Sequence, residues 1–75
     1  MSVEINIKLN TVNDVRKFVE LTSKYPYKQE LREDRFVVDA RSILGILSLD
    51  LSRGVKYWCE SYDVNLLDQL KSFVA

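Results

Sequence analysis

The sequence contains no histidine, and its only cysteine is Cys59. Histidine is the usual general base near neutral pH and the commonest transition-metal ligand. Its absence excludes the Ser–His and Cys–His nucleophile systems and most zinc chemistry. A single cysteine excludes an intrachain disulfide and a thiolate metal site. We therefore expect a chain that is not an enzyme, holds no cofactor or metal, and resides in the cytoplasm, with Cys59 in the core.

An excess of charge of one sign and a long apolar run are missing as well. The 11 Lys and Arg residues balance the 11 Asp and Glu residues, whereas proteins that bind nucleic acid or an anionic membrane usually carry a basic excess. No apolar stretch approaches the ~18 residues of a membrane span, and Met1–Glu4 lacks the pattern of a signal peptide. We expect no nucleic-acid or membrane partner. The 75 residues suffice for one domain, spanning 1–75, with one modest core.

Periodicity predicts the elements of the first half of the chain. Apolar and polar residues alternate over residues 3–9, which indicates a half-buried strand. Thr11 and Asp14 are spaced as a capping pair that opens a helix reaching about Lys24. Pro26 ends this helix, because the residue before a proline disfavours the helical conformation.

The second half contains a hairpin, a short helix, a strand and a last helix. The hairpin joins strands over 27–32 and 35–40, with Glu33–Asp34 at its turn. Ser42 caps a helix over 43–49, and Gly54 supplies a special backbone angle before a strand over 55–59. Asp63 or Asn65 caps the last helix. The residues predicted to face inward in the third strand and the last helix are Phe36, Val38, Ala40, Leu66, Leu70, Phe73 and Val74. The order βαββαβα predicts a two-layer α+β domain, with a four-stranded sheet and three helices on one face.

One segment resembles a known family. Residues 39–49 read D-A-R-S-I-L-G-I-L-S-L, which is similar to the segment around the regulatory serine of HPr phosphocarriers, roughly [L/A]-K-S-[I/L]-[M/L]-G-[V/I/L]-M-S-L. The order of elements agrees over residues 3–74. The resemblance implies the HPr open-faced β-sandwich with an antiparallel sheet, and partners of the sugar phosphotransferase or catabolite-control type.

The departure from that family lies at the start of the first helix. HPr carriers have Gly-x-His-x-Arg-Pro there, and the histidine takes phosphate from enzyme I. In this chain Thr11 falls at the histidine position, Asn13 at the arginine position and Asp14 at the proline position. A threonine phosphate ester is far more stable than phosphohistidine, and Asp14 would repel phosphate where the family's arginine attracts it. The resemblance therefore implies an HPr-like protein without phosphocarrier activity, with a regulatory or adaptor role.

Ser42 has two compatible interpretations. It caps the second helix by accepting a backbone N–H, and it matches the serine that an HPr-type kinase phosphorylates. Phosphate at a helix N-terminus is electrostatically favourable, and Arg41 is adjacent.

The helix after Ser42 is rich in Ile and Leu. Ile43, Leu44 and Leu47 share one side at helical spacing, while Ile46 and Leu49 diverge towards the sheet. Either this helix is a thin element that lies flat on the core or, as the resemblance implies, Ile43, Leu44 and Leu47 form a partner-binding surface.

Three further hypotheses remain open. A stand-alone small-molecule-binding or structural domain could keep the HPr fold but leave the sugar phosphotransferase pathway; a polar pocket would favour it. On the uncovered sheet face, Trp58 and Val37 form either an oligomer or ligand contact or a stabilising cross-strand pair. RNA binding on that face is weakly supported, since Trp58 is its only aromatic candidate. The oligomeric state is not predicted.

Overall fold

The predicted order βαββαβα is confirmed by a computed structural model that describes all of residues 1–75. The last helix continues into a 3-10 turn, Lys71–Phe73. The elements are β1 (Val3–Ile7), α1 (Val12–Thr22), β2 (Gln29–Glu33), β3 (Phe36–Asp39), α2 (Ile43–Leu47), β4 (Val55–Cys59) and α3 (Val64–Leu70).

The four strands form one antiparallel sheet in the order β1-β4-β2-β3. One face carries the core, in which Leu31, Tyr57 and Cys59 are fully buried beneath the helices. Because successive residues of a strand point to opposite faces, the neighbours of these residues lie on the open face. The fold is therefore the predicted two-layer α+β arrangement, with β1 and β3 at its edges.

The open face is stabilised by its own charges around Trp58. The Arg32 guanidinium lies 5.0 Å from the centroid of the Trp58 ring and 2.8 Å from the Glu30 carboxylate. Glu4 and Glu30 are the cross-strand neighbours of Trp58. This arrangement favours the cross-strand interpretation of Trp58.

A hydrogen-bonded chain crosses the interior, and the sequence did not predict it. The Tyr57 hydroxyl donates to Gln29 Oε1 at 2.8 Å, and Gln29 Nε2 donates to the Thr22 carbonyl at 3.0 Å. The Thr22 hydroxyl in turn donates to the Ala40 carbonyl at 2.9 Å. Burial raises the pKa of Tyr57 well above its ordinary value, so this hydroxyl remains a neutral donor. The chain ties α1 to the sheet and to the segment that leads into α2.

Two of the residues predicted to face inward are not buried. Phe36 is 56% exposed, because β3 is an edge strand and α2 approaches it two residues further on: a methyl group built on Gly45 would lie 3.2 Å from Val38 Cβ. Val74 is 50% exposed, because the chain has left the helix and bridges to Ile7 at the edge of β1.

Several boundaries also differ from those predicted. The second strand begins at Gln29, and α2 ends at Leu47 although Leu49 is still buried. Asp63, and not Asn65, caps α3, since its carboxylate accepts from two backbone N–H groups. Gly54 has φ of 80°, as predicted, and a Cβ there would lie 3.1 Å from the Ile7 carbonyl oxygen. None of the helices has the length and apolar character needed to cross a membrane.

Candidate functional site

The start of α1 is closed by the predicted capping box. Thr11 has extended backbone angles, and its hydroxyl oxygen accepts from the Asp14 N–H at 3.0 Å. The Asp14 carboxylate accepts from the Asn10 N–H at 3.0 Å and from the Thr11 N–H at 3.2 Å. Backbone N–H groups at a helix N-terminus are a ready site for an anion. Here a carboxylate of the chain itself accepts from the N–H of the cap residue and of the residue before it, and it places a negative charge beside Thr11.

The start of α2 is capped by Ser42, as predicted. Its hydroxyl oxygen accepts from the Gly45 N–H at 3.1 Å, and the structure gives this hydroxyl no acceptor for its own proton. Arg41, its neighbour, is engaged elsewhere: Arg41 Nε lies 3.2 Å from Asp39 Oδ1. This pairing holds the pKa of Asp39 below its ordinary value. A new anion on Ser42 would compete with Asp39 for Arg41.

A groove of about 350 Å³ lies between the start of α1 and the end of α2. It brings together Thr11 and Leu47, which the sequence analysis had singled out for separate reasons. Most of its walls are apolar, and they are formed by Leu9, Asn10, Thr11, Val12, Val15, Leu47, Leu51 and Ser52. The groove is thus a shallow apolar surface with the Thr11 hydroxyl on its rim.

The apolar side chains of α2 and of the start of α1 are exposed to different degrees, and of these Leu47 and Val12 line the groove. Leu44 is 79% exposed and Leu47 is 43% exposed, which confirms the exposure expected for both. Ile43 is half-buried and packs against the core, so only part of it is accessible. Val12, at 60% exposure, belongs to the same surface and was missed. Val12 is the first residue after the cap, where the apolar stripe of α1 has not yet turned towards the core.

Among known proteins, the similarities of this chain are to solved structures. No protein-family model and no curated protein sequence matches the chain. HPr-C-His from Thermoanaerobacter tengcongensis is 30% identical, with a TM-score of 0.68 over 93% of this chain and 89% of that chain. The chain belongs to the HPr family. The phosphocarrier protein HPr from Bacillus anthracis strain Ames is 22% identical, with a TM-score of 0.75 over 100% of this chain and 96% of that chain, and it supports the same fold.

In this HPr-family chain Thr11, which was expected at the position of the carrier histidine, is a helix cap. Thr11 uses its side-chain oxygen to close α1, and no histidine stands anywhere in the chain to accept its proton. No group of three or more His, Cys, Asp or Glu side chains is arranged to hold a metal ion. What this end of the fold presents is an apolar groove with the Thr11 hydroxyl on its rim.

A second cleft, of about 570 Å³, lies on a different part of the surface. It is predominantly polar, and its charged lining consists of Arg32, Arg53, Lys56, Glu33, Asp34 and Asp50. Three of these groups are basic and three are acidic, so the cleft as a whole selects neither an anion nor a cation. It is the polar pocket on which the small-molecule alternative depends.

Proposed function

We propose that this HPr-family chain has no phosphocarrier activity and acts as a regulatory or adaptor protein through contacts with other proteins. The observation that carries the proposal is the Thr11–Asp14 capping box. The Asp14 carboxylate accepts from the Thr11 N–H, so an incoming phosphoryl group would meet a negative charge beside Thr11 where it needs a cation, and like charges repel. The Thr11 oxygen is already an acceptor in the cap, and an ester formed on it would not pass its phosphate onward.

The docking surface in this proposal consists of Val12, Leu44, Leu47 and the accessible part of Ile43. Burial of a large aliphatic side chain stabilises by roughly 1.5–3 kcal/mol, so covering several of these side chains supplies a useful share of a binding free energy. Partners of the phosphotransferase or catabolite-control type are those that membership of the HPr family implies. In this proposal the protein is cytoplasmic, has no enzyme activity, and binds neither nucleic acid nor membrane.

Phosphorylation at Ser42 is the regulatory part of the proposal. The hydroxyl protons of Ser48 and Ser52 are donated within the chain, each at 2.6 Å, to the Gly45 carbonyl and to Asp50. The Ser42 proton has no such acceptor, which supports Ser42 as the modified residue. A phosphate there would lie at the N-terminus of α2 and recruit Arg41 from Asp39.

A phosphorylation assay tests the first part. The chain is incubated with phosphoenolpyruvate, Mg²⁺ and enzyme I beside a histidine-containing HPr, and intact masses are measured. We expect the control to gain a phosphate and this chain to gain none. An acid-labile phosphate on this chain would refute the proposal.

A binding series tests the adaptor role. Enzyme I, an HPr-type kinase and a catabolite-control regulator are each titrated with the wild-type chain, Leu44→Glu, Leu47→Glu and Val64→Glu. Val64 is 66% exposed but lies on α3, outside the groove, so it is the matched control. We expect at least one partner to bind the wild type and the control equally and the other two variants at least about tenfold more weakly, as loss of an apolar contact of ~1.4 kcal/mol predicts. Absence of binding by all three partners would contradict the adaptor role.

Kinase treatment tests Ser42. After incubation with ATP and an HPr-type kinase, peptide mapping should place phosphate on Ser42 and find none in Ser42→Ala. Phosphate on Ser48 or Ser52 with Ser42 unmodified would show that the regulatory assignment is wrong.

The alternative of a small-molecule-binding domain is favoured only by the polar cleft. Its balanced charges suit a zwitterionic ligand such as an amino acid. Amide shifts confined to Arg32, Arg53 and Lys56 on addition of amino acids, with no binding to the three proteins, would support this alternative.

A further inference from the structure

The outer edge of β3 carries unpaired backbone groups. β3 is the last strand of the sheet and pairs only with β2. The Ala40 N–H donates to the Gln29 carbonyl at 3.0 Å, and backbone groups alternate in direction along an antiparallel strand. The backbone N–H and C=O groups of Phe36 and Val38 therefore point towards β2. Both backbone groups of Val37 and the N–H of Asp39 point outward, away from the sheet. Such an edge is a template for another strand.

The side chains along this edge are unusually accessible for a strand. Phe36 is 56% exposed and Val37 is 54% exposed, on opposite faces of the sheet. Arg35, at the start of the edge, is exposed and takes part in no ion pair of the structure. Asp39, at the other end, is half-exposed and is paired only with Arg41. The edge thus has a free cation at one end, an accessible carboxylate at the other, and apolar residues between them.

We propose that β3 pairs antiparallel with β3 of a second copy of this chain, with Val37 opposite Val37 of the second copy. Antiparallel pairing about a twofold axis places outward-pointing residues opposite each other, so Val37 can face Arg35, Val37 or Asp39 of the other copy. The middle register sets Arg35 opposite Asp39 at both ends. The register in which Val37 faces Asp39 of the other copy sets Arg35 opposite Arg41. The register in which Val37 faces Arg35 of the other copy leaves Asp39 without a strand partner. Charge therefore selects the Val37 register.

The same register explains the exposed Phe36. It places Phe36 opposite Val38 of the second copy in a non-hydrogen-bonded pair, where side chains approach most closely. The Val37 pair exchanges both of its backbone hydrogen bonds, and each Asp39 N–H donates to the Arg35 carbonyl of the other copy. The Asp39 carbonyl already accepts from the Ser42 N–H at 3.0 Å, so it adds less to the new ladder.

The dimer is expected to be weak. A strand edge of this length buries far less than the ~1,200 Å² of a standard stable interface. It should form at the high concentrations used in NMR and sedimentation experiments, and it leaves the Leu44 and Leu47 surface to other partners. This inference is independent of the proposed function.

Charge-exchanged variants test both the edge and the register. Arg35→Asp sets like charges opposite each other at both ends of its homodimer, and so does Asp39→Lys. A mixture of the two variants restores both attractive pairs in the heterodimer. We expect sedimentation equilibrium to show self-association of the wild type, about tenfold weaker association of each variant alone, and recovery on mixing. Lys17→Asp, on the exposed face of α1, should behave as the wild type.

Val37→Pro provides a second test that does not depend on charge. Proline removes only an outward N–H here and leaves the β2–β3 hydrogen bonds in place. We expect a folded monomer by circular dichroism and sedimentation. A wild type that remains monomeric at every concentration, a Val37→Pro chain that still dimerises, or variants that fail to recover on mixing would each overturn the proposal.

Discussion

Truncation of residues on α2 distinguishes the exposed face of this helix from its buried face. Leu44 is 79% exposed and Ile46 is fully buried, although the two are only two residues apart on the same short helix. About a fifth of the Leu44 side chain is withdrawn from water, so Leu44→Ala should lower the free energy of unfolding by only about 0.3–0.6 kcal/mol. Ile46→Ala removes fully buried atoms and leaves a cavity, and it should cost about 2–5 kcal/mol.

Leu47 provides an intermediate case. At 43% exposure it buries somewhat more than half of its side chain, so Leu47→Ala should cost about 1–1.7 kcal/mol. Urea unfolding followed by circular dichroism measures all three variants against the wild type, with equal m-values as the check that the denatured states are comparable. A loss above about 2 kcal/mol for Leu44→Ala, or a loss below about 1 kcal/mol for Ile46→Ala, would refute the assignment of α2 faces.

Three further predictions concern polar contacts of the fold. Tyr57→Phe leaves the buried Gln29 Oε1 without its donor, and thermal or urea unfolding should show a loss of about 1–3 kcal/mol. Thr11→Ala removes the acceptor that caps α1 and should cost about 1 kcal/mol, whereas Thr11→Ser should retain most of the stability. The Tyr27 hydroxyl donates to Asp63 at 2.6 Å and lowers the pKa of that carboxyl, so Tyr27→Phe should raise the Asp63 pKa in an NMR titration.

The pH dependence of the last contact has a definite sign. A carboxyl whose pKa is lower in the folded chain stabilises the fold above its unfolded pKa of about 3.9, and the contribution is lost as the pH falls towards the folded pKa. The wild type should therefore lose more stability than Tyr27→Phe between about pH 5 and the folded pKa of Asp63. Equal losses, or an unchanged Asp63 pKa, would contradict the assigned contact. An unchanged free energy of unfolding in Tyr57→Phe would show that the Tyr57–Gln29 hydrogen bond contributes nothing to stability. The same result in Thr11→Ala would show that the α1 cap contributes nothing.

Much of the fold could be predicted because it depends on local rules. Alternation over residues 3–9 identified the first strand, which in the structure ends at Ile7. Side-chain chemistry identified Thr11 and Ser42 as caps, since a cap depends on residues within one turn. The absence of histidine can be read directly from the sequence, and folding cannot supply an imidazole that the sequence lacks.

The proposed docking surface was only partly predictable from the sequence. Helical spacing separated Leu44 and Leu47 from Ile46, because neighbours on one helix face are fixed by 3.6 residues per turn. It did not show that Val12 joins them, since Val12 lies on a different helix and reaches the groove only when α1 and α2 pack side by side.

The sequence by itself therefore determined which residues share a face of each strand or helix, where the first two helices begin, and that no imidazole is available. Only the tertiary structure decided that β3 is an edge strand, which left Phe36 exposed, and that Gln29 lies in the interior between Tyr57 and Thr22. It also brought Thr11 and Leu47 to one groove. The physical reason is that periodicity reports direction relative to one element, whereas burial depends on which other elements lie above it.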